Sequence, residues 1–157
     1  PRPYASLEGF FVTMTGAMVA AYDMETVSAI RKGVLDDVRE LHKRGKNLVA
    51  CNRFGESVMH LACRHGKTDI VEFLMFQAGS SPRVICDSGR TPMHDACWTA
   101  TPNFDCIRLV LKEAPDLLLV ADKRGFTPLA YLPRDTWGEW SDFLERNRDI
   151  LAPKYLC

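Results

Sequence analysis

At 157 residues, with 46% hydrophobic and 25% charged side chains, the chain is one domain's worth of ordinary globular sequence, long enough to bury a real core. Its 20 basic and 20 acidic residues cancel, so the total charge points neither to nucleic acid nor to an anionic membrane. The six cysteines, at 51, 63, 86, 97, 106 and 157, lack the spacing of a small stapled secreted fold. They read as reduced thiols packing as small hydrophobes in an intracellular compartment, cytoplasm or nucleus, or an organelle lumen if a targeting peptide has been removed.

The chain opens on Pro1 rather than methionine, which reads as a processed or truncated piece of a longer precursor. Its longest apolar stretch, Phe10 to Ala21, is interrupted by Thr13, Thr15 and Gly16 and falls short of the ~20 residues of a spanning helix. It also fits a secretory signal poorly, so no transmembrane segment is expected. Residues 1–21 are expected to form an apolar N-terminal arm or cap, because Phe10-Phe11-Val12 and Met14 are more apolar than a free tail should be.

From there on the chain repeats itself. Gly55-Glu56-Ser57-Val58-Met59-His60-Leu61-Ala62 aligns with Gly89-Arg90-Thr91-Pro92-Met93-His94-Asp95-Ala96 and with Gly125-Phe126-Thr127-Pro128-Leu129-Ala130, their glycines 34 and 36 positions apart. Downstream, Ile70 to Met75 aligns with Cys106 to Leu111 and more weakly with Trp140 to Leu144, and Gly33 to Leu41 precedes Gly66 to Leu74 by 33 positions. Gly55, Gly89 and Gly125 close short segments with polar residues, Asn52-Arg53, Asp87-Ser88 and Asp122-Lys123-Arg124, as tight turns with positive φ require. Thr91-Pro92 and Thr127-Pro128 suit a hydroxyl N-cap with proline in the first helical position. Gly66 separates a short first helix from a second whose apolar residues, Ile70, Val71, Phe73, Leu74 and Met75, form too wide a stripe for a helix exposed on one side. One such unit cannot bury that surface; stacked neighbours can.

Departures from the repeat have consequences. Ser57 and Val58 stand in for threonine and proline. Cys86 replaces the Asn52 and Asp122 of the other turns, removing an oxygen acceptor unless Asp87 substitutes. Thr99 to Asn103 lengthens one inter-helix turn, with Thr101-Pro102 expected to restart the helix. Ala130 replaces the histidine of the last unit and Pro133 follows, so that first helix should be short.

These segments resemble the ankyrin-repeat family, whose unit is about 33 residues with a Thr-Pro-Leu-His signature. The wording His94-Asp95-Ala96-Cys97-Trp98 followed by Pro102-Asn103-Phe104 and Asp122-Lys123-Arg124-Gly125 is similar to ankyrin proteins of unicellular algae. The resemblance implies an all-α fold, an ankyrin-repeat solenoid of stacked helix-turn-helix units with short β-turn tips. Four repeats are expected, at 22–51, 52–85, 86–121 and 122–150, the outer two degenerate, followed by a C-terminal tail at 151–157. The arm would then either shield Leu35, Val38 and Leu41 of the first repeat or dock into another protein. The structural signature would be carried by Gly55, His60, Gly89, Thr91, Pro92, His94, Gly125, Thr127 and Pro128.

Residues that carry chemistry elsewhere read differently here. His60 with Cys63 and His94 with Cys97 form two pairs one repeat apart, a conceivable zinc set. In the ankyrin pattern, however, that histidine bonds within its turn and towards the next repeat, and the cysteine position packs between helices. Cys97 beside His94 and Asp95 is the one candidate nucleophile, and burial would keep it inert. The glycines punctuate repeats rather than cradle phosphate. No metal, cofactor or catalytic residue is expected. Trp137 and Trp140 are read as sealing the C-terminal end of the core, and Trp98 as exposed at the end of a first helix.

Ankyrin domains usually bind partners through turn tips and first helices. On this chain that surface comprises Arg31 and Lys32; Arg53, Phe54, Glu56, Arg64 and His65; Asp87, Ser88, Arg90, Trp98 and Thr99; and Lys123, Arg124, Phe126, Arg134 and Asp135. Eight of these are basic and three acidic. Partner binding is assigned to Arg53, Phe54, Arg64, Arg90, Trp98, Lys123, Arg124 and Phe126, aromatic anchors among arginines. The resulting expectation is a non-enzymatic adaptor or peripheral subunit of a larger assembly that binds an acidic, aromatic-containing protein segment and no nucleic acid. The alternatives are a purely structural spacer and, more distantly, a metal-binding protein or thiol enzyme.

Overall fold

The computed structural model describes residues 11–155. Its helices are α1 (Gly16–Ala21), α2 (Met24–Lys32), α3 (Leu35–Lys43), α4 (Val58–Arg64), α5 (Thr68–Phe76), α6 (Pro92–Trp98), α7 (Phe104–Glu113), α8 (Trp137–Arg146) and α9 (Arg148–Tyr155). Short 3-10 turns occupy Pro115–Leu119, Pro128–Tyr131 and Arg134–Thr136, and no strand forms among the described residues. The helices lie in two rows. First helices pack α2 on α4, α4 on α6 and α6 on Pro128–Tyr131; second helices pack α3 on α5 and α5 on α7. Ile30, Val38, Ala62, Ile70, Val71, Leu74, Met93, Cys97, Val110 and Leu117 are sealed completely between them. Each large aliphatic among these stabilises the stack by roughly 1.5–3 kcal/mol, and no single repeat could achieve that burial.

The first helices begin as the sequence indicates. The hydroxyls of Ser57 and Thr91 accept the N–H groups of His60 (3.1 Å) and His94 (3.4 Å), whose Nδ1 atoms in turn accept the N–H groups of Ser57 and Thr91 at 3.0 Å. The return half of this box comes from a side-chain acceptor three residues after the cap, here the imidazole nitrogen. Thr127 has Ala130 there, and the expected hydroxyl cap does not form. Ala130 donates to the Thr127 carbonyl (3.0 Å), and the last first-helix is the short 3-10 turn Pro128–Tyr131.

Three further expectations change. Thr101-Pro102 does not restart a helix: α7 starts at Phe104, because the side-chain oxygen of Asn103 accepts from the N–H groups of Asp105 and Cys106. Asn103 also donates Nδ2–H to the Gly66 carbonyl at 2.7 Å, tying two inter-helix turns together. Of the two C-terminal tryptophans Trp140 seals the core, at 1% exposure, whereas Trp137, the first residue of α8, is 55% exposed, its indole N–H donating to the Leu132 carbonyl. The boundary drawn at 150 falls inside α9, whose Leu151 is buried.

Residues 1–10 of the arm, with Phe10, lie outside the described residues. In the rest, Phe11 packs against the core and Met18 is buried. Val12 donates to the Arg83 carbonyl and Cys51 donates to the Met18 carbonyl. These bonds hold the arm against the loops that lead into the second and third repeats; none of them is to α3, where Leu35, Val38 and Leu41 lie.

Candidate protein-binding site

Each tip is a four-residue turn closed in the same way. Asn52, Cys86 and Asp122 donate to the carbonyls of Glu56, Arg90 and Phe126, and Gly55, Gly89 and Gly125 donate back to Asn52, Cys86 and Asp122. The glycines have φ of 80°, 78° and 89°. Asn52 Oδ1 accepts from Phe54 and Glu56, and Asp122 Oδ1 from Arg124 and Phe126. Burial pushes the Asp122 carboxyl up, but the Tyr131 hydroxyl and these two N–H groups outweigh it and hold it below the usual carboxylate range. At the middle tip Cys86 Sγ lies 3.1 Å from the Ser88 hydroxyl, so a weak sulfur contact stands where oxygen serves the neighbours.

The tips are locked to one another. The N–H of Asp87 donates to the Phe54 carbonyl (2.8 Å), and that of Lys123 to the Ser88 carbonyl (3.0 Å). A Cβ on Gly55 would stand 3.0 Å from the Ile85 carbonyl oxygen, and one on Gly89 2.9 Å from the Lys123 nitrogen. The backbones approach that closely only because these positions lack a side chain.

This platform presents Arg53 with Phe54 and Lys123-Arg124 with Phe126, all exposed. The guanidinium of Arg53 sits 4.9 Å from the Phe54 ring centre and that of Arg124 5.2 Å from Phe126, close enough for cation–π attraction. Trp98, 61% exposed, stands at the far end of α6. Between tips and helix ends little surface comes from the first helices themselves, since Val58 to Cys63 and Pro92 to Cys97 are buried.

Two of the eight residues assigned to partner binding are built into the fold instead. Arg64 is half-buried, bonding Glu56 (3.3 Å) and the buried Asp95 of the next repeat (3.1 Å). Arg90 is half-buried with its Nε enclosed. Asp95, which the sequence placed only beside Cys97 and His94, instead pairs with Arg64 where α6 faces α4.

His60 and His94 use both ring nitrogens. Nδ1 accepts within the box, so Nε2 carries the proton and donates to Arg90 O (2.8 Å) and Phe126 O (3.0 Å) respectively. Burial lowers the basicity of both rings, more than the carbonyl bonds and nearby carboxylates raise it. Cys97 is fully enclosed and burial pushes its thiol up strongly, so the group Cys97, His94 and Asp95 offers no thiolate to a substrate. Among the described residues no cluster of His, Cys, Asp or Glu has the makings of a metal site, and no helix is long and apolar enough to cross a membrane.

Comparison with known proteins agrees with this geometry. The chain is 31% identical over 83 residues to the SMC5-SMC6 complex localization factor protein 1 of Bos taurus, covering 53% of this chain and 8% of that protein. It is 28% identical over 109 residues to the fowlpox virus (strain NVSL) ankyrin repeat protein FPV014, covering 69% and 24%. It is 34% identical over 50 residues to the eye-specific diacylglycerol kinase of Drosophila melanogaster, covering 32% and 3%. The chain thus spans a quarter or less of each relative, and their names describe different activities, so the shared element is the repeat. Residues 26–121 match the family described as ankyrin repeats (3 copies), whose members generally mediate protein–protein interaction. With three locked tips, two helix rows and that match, the chain belongs to the ankyrin-repeat family.

Proposed function

We propose that this domain is a non-enzymatic adaptor or peripheral subunit that binds an acidic, aromatic-containing segment of a partner protein across its turn tips. The observation that carries this reading is the pairing of arginine with an exposed phenyl ring on tips whose backbones are fixed by their neighbours. Rigid anchors lose little freedom on binding, and flanking guanidinium groups attract carboxylates and steer their approach. The binding residues are Arg53, Phe54, Trp98, Lys123, Arg124 and Phe126. Arg64 and Arg90 serve by holding the platform. Five buried free thiols, at 51, 63, 86, 97 and 106, suit work in a reducing compartment.

The test is titration calorimetry with a synthetic peptide of alternating Asp or Glu and Tyr, against its Asn/Gln counterpart. The acidic peptide should bind at least about tenfold more tightly, with the difference shrinking as salt rises. Equal binding of the two, or binding of neither, would discard the reading.

A further inference from the structure

Four prolines of the chain directly follow a hydroxyl residue, in Ser81-Pro82, Thr91-Pro92, Thr101-Pro102 and Thr127-Pro128. Two of these hydroxyls serve the fold: that of Ser81 accepts the N–H of Arg83 (3.0 Å), and that of Thr91, fully buried, caps α6. Thr127 is half-buried at the start of its 3-10 turn. In all three of these pairs the proline itself is buried. Thr101-Pro102 is different. Thr101 is exposed and Pro102 is only half-buried. Among the described residues the Thr101 hydroxyl has no hydrogen-bond partner, since only its N–H is engaged, on Thr99 Oγ1 at 3.2 Å. Asn103 caps α7, so the fold leaves this hydroxyl without a task.

The surrounding chain keeps the pair within reach of another protein. The loop between α6 and α7 runs from Thr99 to Asn103, two residues longer than the turn between α4 and α5. Its far end is pinned where Asn103 donates to the Gly66 carbonyl at 2.7 Å. Thr99 (φ −69°, ψ 144°) and Asn103 (φ −98°, ψ 98°) are both extended, and a proline at 102 disfavours the helical region for Thr101. A protein kinase must bring the acceptor hydroxyl to its catalytic carboxylate, and a proline behind it, having no N–H, can be read only through its ring. Both groups therefore have to be accessible, and Thr101-Pro102 alone among the four pairs meets that condition. We infer that Thr101 is a phosphate-acceptor site for a proline-directed protein kinase, and that Ser81, Thr91 and Thr127 are not. Thr101 Oγ1 attacks the γ-phosphorus of ATP, and the bond from that phosphorus to the bridging oxygen breaks. ADP leaves with the bonding electrons, and the hydroxyl proton passes to the kinase carboxylate. The product carries roughly 1.5–2 negative charges on a chain of zero net charge, three residues after the exposed Trp98.

Mass spectrometry of the full chain, incubated with a purified proline-directed kinase and magnesium ATP, tests this. One phosphate should be taken up, and fragmentation should place it on Thr101. Thr101→Ser should keep the acceptor, and Thr101→Ala, at an exposed position with no side-chain bond to lose, should abolish uptake. Pro102→Ala should lower the rate at least about tenfold, with circular dichroism checking that the variant folds. A synthetic peptide of residues 97–106 separates sequence from presentation and should be modified as well. No phosphate on the peptide would mean that the sequence is not recognised, and none on the folded chain that the loop does not present it; either result overturns the inference. So would phosphate on Ser81, Thr91 or Thr127 ahead of Thr101, uptake that survives Thr101→Ala, or a Pro102→Ala chain modified as fast as the wild type.

Discussion

His60 reaches across to the next repeat: its Nε2 donates to the carbonyl of Arg90 at 2.8 Å, while its Nδ1 closes the cap of its own helix on Ser57. One buried ring therefore satisfies the start of α4 and fastens it to the middle tip, and His94 does the same for α6 and Phe126. Replacing His60 with alanine leaves the Ser57 N–H without its acceptor, leaves the Arg90 carbonyl with the Cys86 N–H alone, and opens a cavity. The cost should be about 2–4 kcal/mol of stability in urea unfolding, against less than about 0.5 kcal/mol for the exposed His65→Ala.

The same two rings should set the mildly acidic stability of the domain. Burial lowers their pKa in the folded state below the value of 6.5 expected when unfolded. Between those limits the unfolded chain binds more protons, so stability rises with pH. The contribution is therefore full above pH 6.5 and is lost as pH falls from there towards the folded-state values. The carboxylates held low, Asp23 at about 2 and Asp122, act in the other window, below their ordinary 3.8. Urea midpoints should fall between pH 7 and pH 5, and the fall should be smaller in His60→Ala. A midpoint that is flat across this range in the wild type would contradict the buried neutral rings.

What the sequence made legible was local and repeated. The tip glycines, the hydroxyl caps at 57 and 91 and the apolar stripe of α5 announce themselves because each is set by residues a few positions apart. Thr127-Pro128 looked like Thr91-Pro92, yet the return half of the box needs a side-chain acceptor three residues on, and Ala130 has none. Arg64 looked like a free basic residue because its partner Asp95 is 31 positions away and meets it only once repeats stack. Trp137 and Trp140 sit three apart on one helix, and which of them is buried depends on how α8 packs on the preceding repeat, not on residues a few positions away.

Gly89 and Gly125 have the same backbone conformation but different surroundings, and that separates two effects. Alanine at either position incurs the left-handed penalty of roughly 1 kcal/mol. At Gly125 a Cβ meets nothing within 4 Å, so that is the whole cost. At Gly89 it meets the Lys123 nitrogen at 2.9 Å and must push the last tip away. Gly89→Ala should be the more destabilising by at least about 1 kcal/mol in chemical unfolding, and equal losses would mean the tips are not packed on one another.

Arg64 and Arg53 should fall into different classes despite their identical chemistry. Truncating Arg64 leaves Asp95, whose carboxylate is 5% exposed, without its cation. Since Arg64 itself is 35% exposed, solvent screening limits the loss to about 1–3 kcal/mol. Arg53→Ala should change stability by less than about 0.5 kcal/mol. A double-mutant cycle with Asp95→Asn checks that the Arg64 loss is the pair's own, because the second substitution should recover part of it.

Binding should separate along the same line. With the acidic peptide of alternating carboxylates and Tyr as ligand, reversing Arg53 and Arg124 to glutamate should slow association and flatten its salt dependence, since both side chains are exposed and neither holds the fold. Truncating Phe54 or Trp98 to alanine should act through faster dissociation and cost on the order of 2 kcal/mol if either ring is a central anchor. Lys112 supplies the control: it is an exposed cation on α7, in the second-helix row and away from the tips. Its reversal should leave affinity within a few tenths of a kcal/mol. If Lys112→Glu weakens binding as much as the Arg53 and Arg124 reversals, net charge rather than the tip surface governs the interaction. The aromatic pairs would then be solvated decoration, and the partner would have to lie against the helical back of the stack.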